Sequence, residues 1–427
     1  METAQLYELY LSYPSVQTDT RKIAKGDIFF ALKGPNFNGN HFVQQALDAG
    51  ASYAVADEAD ASGDERCILV PDVLQALQDL AHYHRQQFSI PFIGITGSNG
   101  KTTSKELLTA VLRQQYKVYA TQGNLNNHIG VPLTILSVKK DADIAVIEMG
   151  ANHIGEIAAY CRIALPTHGI ITNCGKAHLE GFGSIEGVRK GKGELYDHIR
   201  ATQGVIFRNA DLDYLEEMAR GIHTQITYGT TDAVYTGQAS GDGLLLNVGI
   251  STEGYETTLY TQLVGSYNFP NVLLAFAVGA HFGLDIRQIK TAVESYAPDN
   301  SRSQLLHKGN NYIILDAYNA NPTSMRAAIA NFARTEHPRM LWLGAMKEMG
   351  PEEAKEHEDL VTYISQWDWE EVILVGTEFR PFHGNYQWFA TAEEATVYVA
   401  AHKPEKAQIL VKGSRGSKME TLLAALN

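Results

Sequence analysis

Cysteine is scarce: Cys67, Cys161 and Cys174 stand far apart in the chain. They show no metal-ligand spacing, and three thiols do not make a disulfide framework. Reduced cysteines in a cytoplasmic protein are therefore the expectation. Long apolar runs are missing too, so no membrane span is expected. Residues 1–5 offer no basic stretch leading into an apolar one, so no secretory signal is expected. Positive charge is in deficit, with a formal net charge of -13. That argues against generic binding of nucleic acid or anionic membranes, and any phosphate must be held by local donors. Repeats and low-complexity segments are absent.

What is present is an ordinary globular composition, 44% apolar and 19% charged, spread over 427 residues. That length exceeds one hydrophobic core. The texture divides it into three α/β domains. Residues 1–88 carry short apolar runs at 27–32 and 51–56 and an amphipathic helix over 73–88, with Leu74, Leu77, Leu80 and Ala81 on one face. Residues 89–298 alternate buried strands (91–96, 144–147, 169–172) with helices (104–114, 268–282), the rhythm of a parallel sheet covered on both faces. Within them, 228–263 is glycine-rich and alternating, and reads as antiparallel strands at the flank. A linker over 296–301 leads to residues 299–427. There the strands 312–316, 340–343, 371–375 and 408–411 predict a doubly wound, Rossmann-like domain.

One stretch carries chemistry: Thr96, Gly97, Ser98, Asn99, Gly100, Lys101, Thr102 and Thr103, between a strand and a helix. The strict phosphate-loop pattern wants a glycine where Ile95 stands. Even so, each residue has a job if phosphate is bound. Gly97 and Gly100 free the backbone to aim N–H groups inward, and the helix start adds its positive end. Lys101 offers a compact charge to terminal phosphates, and Thr102 a hydroxyl to Mg²⁺. The loop alone does not separate an enzyme from a nucleotide-dependent switch.

Mg²⁺ needs further oxygen ligands. Glu148 directly follows the strand 144–147, and His178 lies a few residues beyond the strand 169–172. Alone, each reads as an ordinary strand-end or loop residue, and imidazole nitrogen is softer than Mg²⁺ prefers. The basic run at 187–194, with Arg189, Lys190 and Lys192, reads either as a solvated turn or helix start or as a surface facing an anionic substrate.

Together these motifs resemble the Mur ligase family, ATP-dependent amide-forming enzymes of peptidoglycan precursor synthesis. The resemblance spans nearly the whole chain: the shortened loop 96–103, Glu148–Asn152, Ala177–Ser184, Tyr267–Asn271, Asp316–Pro322 and Lys412–Arg415. Segments 124–132, 318–325 and 343–350, with His357 beyond, are similar to the members that use UDP-N-acetylmuramoyl-tripeptide and D-alanyl-D-alanine. The family usually has histidine where Tyr267 stands, and often an acidic residue at Ala317.

The resemblance implies ATP and Mg²⁺ as cofactors and a monomer working in the cytoplasm. Lys101, Lys192 and His178 become catalytic candidates, and Thr102, Glu148, His178 and Lys192 the metal ligands. Lys192 matches a lysine that can be carbamylated, which reverses its charge. Asn268 and Asn271 match adenine-side contacts, and Arg302 and Asp316 match groups reaching phosphates and ribose. Thr18–Arg21, Lys33–Pro35 and Gly39–Phe42 resemble the UDP end of the substrate site. Closure of the third domain over the second is expected to exclude water. Another Mur-type ligase, folylpolyglutamate synthetase, a non-catalytic switch and a UDP-sugar-binding regulator are the alternatives; the small first domain argues against the folate enzyme.

Overall fold

The computed structural model describes residues 1–61, 63–240, 244–252, 254–336 and 338–426. Among these residues an all-parallel sheet orders Val16–Gln17, Ile28–Phe30, Tyr53–Ala56 and Cys67–Leu69. Ile28–Phe30 and Tyr53–Ala56 are shorter than the apolar runs that contain them, and Val16–Gln17 and Cys67–Leu69 lie outside those runs. At the start of the second, Asp27 accepts the Ala24 N–H at 2.7 Å and holds the chain in a turn.

The large sheet has nine strands. From one edge it orders Val118–Ala120, Ile144–Glu148, Phe92–Thr96, His168–Ile171, Val205–Asn209, Thr224–Gly229 and Tyr235–Ser240, all parallel. Leu245–Thr252 and Tyr255–Val264 then finish it antiparallel. The expected antiparallel flank is thus present, although its first strand joins the body of the sheet in parallel. Positions 241–243 and 253 of that flank lie outside the described residues. Phe92–Thr96 and Ile144–Glu148 are buried at every residue, which is why they read as unbroken apolar runs. Three neighbouring strands end at one crevice, the usual place for a ligand in such sheets. Glu148 is the last residue of its strand, not the first beyond it. It lies opposite Ile95 in the ladder, beside the loop.

The third sheet has six strands, in the order Gln304–Lys308, Asn311–Asp316, Gln408–Lys412, Arg339–Gly344, Glu371–Val375 and Gln387–Phe389. The first is antiparallel and the rest are parallel. Trp342 is fully buried at its centre.

The helix Val73–Arg85 ends earlier than its pattern suggests, and beyond it the Arg85 guanidinium donates to the Phe88 carbonyl at 2.8 Å. Its Leu77, Leu80 and Ala81 share one apolar cluster with Val131, Ile135, Leu136, Ile157 and Tyr160. Near residue 88 the sheet changes while the core continues. No described helix is long and apolar enough to cross a membrane.

Candidate active site

The loop after Phe92–Thr96 turns into the helix Lys101–Leu112. Two glycines are compulsory there. Gly97 has φ 146°, and a Cβ on it would fall 1.8 Å from Thr172 Oγ1; Gly100 has φ 81°, and its Cβ would fall 2.6 Å from Asn271 Oδ1. The next strand's end grips the loop: Thr172 Oγ1 donates to the Asn99 carbonyl at 2.6 Å. Two of the loop N–H groups are engaged rather than free. Ser98 N–H donates to the Asn173 carbonyl at 2.9 Å, and Asn99 N–H to Asn173 Oδ1 at 3.1 Å. The donors that remain are those of the cap and first helical turn, 100–103, which have no partner within a helix. Lys101 folds back so that Nζ donates to the Gly97 carbonyl at 2.6 Å. Burial lowers its pKa to about 8, with the Glu148 carboxylate opposing and Arg302 reinforcing the shift.

The loop opens on a cavity of about 720 Å³. Its wall includes Ser98, Asn99, Gly100, Lys101, Thr102, Thr103, Glu148, His178, Asn268, Asn271, Arg302 and Asp316. Thr96, Gly97 and Lys192 stand outside that wall. Glu148 is fully buried. Its Oε1 accepts from Thr102 Oγ1 at 3.1 Å and from Asn126 Nδ2 at 2.8 Å. Its Oε2 has no hydrogen-bond partner among the described residues, and Lys105 Nζ lies 3.7 Å away. A buried carboxylate oxygen without a donor, beside a hydroxyl, is a donor set suited to a hard cation.

Lys192 lies inside the helix Ile185–Thr202, so the basic run is neither a turn nor wholly solvated. It is 1% exposed, with Nζ 5.2 Å from the Phe182 ring centre. Burial, then the like charge of Lys101, lowers its pKa to about 7. His178 adopts a left-handed backbone, φ 53°, and its Nδ1 lies against the Glu348 carboxylate. Glu348 belongs to the loop after Arg339–Gly344. That loop is held by His357, whose Nε2 accepts the Met346 N–H at 3.1 Å while Nδ1 lies 2.7 Å from the Glu353 carbonyl. One neutral tautomer satisfies both contacts, and burial keeps the pKa low.

Asn271 Oδ1 accepts from Ser104 Oγ at 3.0 Å, which ties the loop helix to Phe269–His281, and Asn271 Nδ2 donates to Asn268 Oδ1 at 2.9 Å at the start of that second helix. From the third sheet, the Arg302 guanidinium lies 3.8 Å from the Tyr318 ring centre. Asp316 Oδ2 takes Lys412 Nζ at 2.5 Å. Further bonds close this side: Asn321 Nδ2 to Asn99 Oδ1 at 2.7 Å and Lys176 Nζ to Glu356 Oε1 at 2.7 Å. In the first unit Lys33 pairs with Asp57 at 2.9 Å and Glu58 at 3.0 Å, Arg21 pairs with Asp19, and Asn40 bonds Asp57. None of these lines the cavity. Asn126, Lys412 and Glu348 are the additions that sequence reasoning missed as site residues, although all three lie in segments it had singled out.

Fold and site define a phosphate-loop enzyme in which a third α/β unit covers the nucleotide crevice. Residues 12–85 match the Mur ligase family catalytic domain, 95–279 the Mur ligase middle domain and 301–415 the glutamate ligase domain. The chain is 35% identical to a UDP-N-acetylmuramoyl-tripeptide–D-alanyl-D-alanine ligase of Bacillus subtilis, over 96% of this chain and 92% of the relative. It is similar to a crystal structure of MurF from Acinetobacter baumannii, with TM-score 0.89 and 30% identity over 99% and 98% of the two chains. It also resembles a MurF ligase of Thermotoga maritima in complex with ADP, with TM-score 0.87 and 26% identity over 97% of each chain. The chain belongs to the Mur ligase family.

Proposed function

We propose that this enzyme joins D-alanyl-D-alanine to UDP-N-acetylmuramoyl-tripeptide, consuming ATP, in the cytoplasmic stage of peptidoglycan precursor synthesis. The observation that carries the reading is the meeting of the phosphate loop with Arg302 and Asp316 in one cavity, in a chain related over almost its full length to a ligase of that name. A carboxylate is a poor electrophile, so it must be activated. The peptide carboxylate takes the γ-phosphoryl group and ADP departs. The amine then attacks the acyl carbon, the C–O bond to phosphate breaks, and the nitrogen loses a proton as the amide forms.

Such chemistry asks the protein chiefly for position and charge neutralisation. Lys101, released from its loop carbonyl, meets the terminal phosphates with the first-turn N–H groups, in the loop Thr96–Thr103. Thr102, Glu148 and His178 would hold Mg²⁺, with the free Glu148 oxygen as its natural ligand. When bound, Mg²⁺ offsets the negative charge of triphosphate and carboxylate. Lys192, with its low pKa, would offer a neutral amine to carbon dioxide, and the carbamate would supply an anionic oxygen for a second ion. Asn268 and Asn271 border the adenine, and Arg302 and Asp316 reach phosphates and ribose. Residues 1–88, through Lys33 and Asn40, take the UDP end; 89–298 bind ATP; 299–427 close over it, all within one monomer.

The test is phosphate release from ATP with UDP-muramoyl tripeptides and a panel of amines. Release should require both the peptide acid and D-alanyl-D-alanine. Preference for D-glutamate or for a single diamino acid would sink the assignment.

A further inference from the structure

Glu106 has no part in the chemistry above, yet it stands one turn beyond Thr102 on the loop helix. Both of its oxygens are engaged by the segment that connects the second and third units. Tyr296 O–H donates to Oε2 at 2.6 Å, and Asn300 Nδ2 donates to Oε1 at 2.9 Å and to Oε2 at 2.8 Å. Burial, reinforced by Glu106, raises the Tyr296 pKa, so its proton stays in place. On the other side Lys105, whose side chain is 4% exposed, lies 3.9 Å from Glu106 and 3.7 Å from Glu148. A carboxylate at the nucleotide crevice and a carboxylate at the connector therefore share one buried cation.

The connector delivers Arg302. On either side of it, Ser301 and Ser303 hold left-handed backbones, φ 57° and φ 50°. Side-chain-bearing residues keep such angles only when their surroundings fix them. Downstream the fixing is visible: Ala317 N–H to the Ser301 carbonyl at 3.0 Å, Ser303 N–H to Asp316 Oδ1 at 3.3 Å, and Tyr267 to Ser303 Oγ at 3.0 Å. Upstream, Glu106 is the counterpart, and it is the grip that ties the connector to the phosphate loop's own helix.

We propose that Glu106 is a positioning residue: it clamps the 296–303 connector to the loop helix, so that filling the loop and placing Arg302 become one event. This rests on the ATP-dependent reading of the cavity. The test compares hydrogen exchange of residues 296–303, with and without a non-hydrolysable ATP analogue and Mg²⁺, in the wild type, Glu106→Ala and the swapped pair Glu106→Gln with Asn300→Asp. In the swap the introduced amide donates to the introduced carboxylate, which rebuilds the contact. Nucleotide should slow connector exchange by about tenfold in the wild type and the swap, and hardly at all in Glu106→Ala. Turnover of the alanine variant should fall with its KM for ATP little changed, the sign of an interaction used after binding. Equal nucleotide protection in Glu106→Ala overturns the proposal, as does a wild-type connector that ignores nucleotide or a swap that restores nothing. Should the wild type release no phosphate with its two substrates, the ligase assignment fails; the exchange comparison needs only nucleotide and still decides Glu106.

Discussion

The lysines at and behind the crevice and the cations of the first unit live under opposite regimes. Lys101 and Lys192 are desolvated, close to each other's charge, and pushed down to pKa values of about 8 and about 7. Lys33 and Arg21 lie in water against carboxylates that raise their pKa, with side chains 44% and 86% exposed. Buried cations without a matching anion are unfavourable in the empty protein and gain most when a polyanion arrives. Exposed pairs are already neutralised and screened, so a ligand there replaces one partner with another at small net gain.

Substitutions should separate the two regimes. Lys101→Ala should lower kcat by about a thousandfold or more with the fold intact, since it removes a charge aimed at the transferring phosphoryl group; near-normal turnover with unchanged circular dichroism would take the loop out of the mechanism. Lys192→Ala should lose about a hundredfold, and added short carboxylic acids should restore part of it by standing in for the carbamate oxygen. Failure of rescue at every acid tried would count against carbamylation. Lys33→Ala should raise KM for the UDP substrate by about threefold to tenfold and leave kcat nearly alone; a collapse of kcat would erase the contrast drawn above.

The smallest effect concerns pH. Lys192 has a folded pKa of about 7 against an ordinary 10.5. Between those values it is neutral when folded and charged when unfolded. The unfolded chain then binds the extra proton, and stability rises with pH across that window. In buffers stripped of carbon dioxide, Tm of the wild type minus that of Lys192→Met should climb by a few degrees from about pH 7 to about pH 9. A flat difference would mean that Lys192 is not desolvated.

The sequence was most legible where chemistry is local. The run from Thr96 to Thr103 announces its strand, its turn and its helix, because glycine requirements and helix-start donors are short-range. Phe92–Thr96 and Ile144–Glu148 were equally plain from unbroken apolar runs, whereas the parallel strands Val118–Ala120 and Val205–Asn209 were not singled out. What could not be read depends on contacts between distant segments. For Lys192 the pattern left a solvated turn or helix start and a substrate-facing surface undivided, since nothing in residues 187–194 reveals that Phe182 covers it. The Asn126 bond to Glu148 spans 22 positions and the Lys412 bond to Asp316 spans 96, and pattern gives no warning of either. The family resemblance supplied Arg302 and Asp316, which periodicity alone would have left as linker and strand end.

The apolar cluster shared by the helix Val73–Arg85 and the large sheet's covering helices has a practical outcome. Arg85 reinforces the seam by donating to the carbonyls of Ala164 at 2.7 Å and Leu165 at 2.9 Å. Trimming the gene at codon 88 would peel away one wall and leave Ile135, Leu136, Ile157 and Tyr160 facing solvent, an adhesive surface of the kind that drives precipitation. Anyone wishing to study the ATP-binding portion in isolation should keep the leading 88 residues attached and cut, if at all, near position 298.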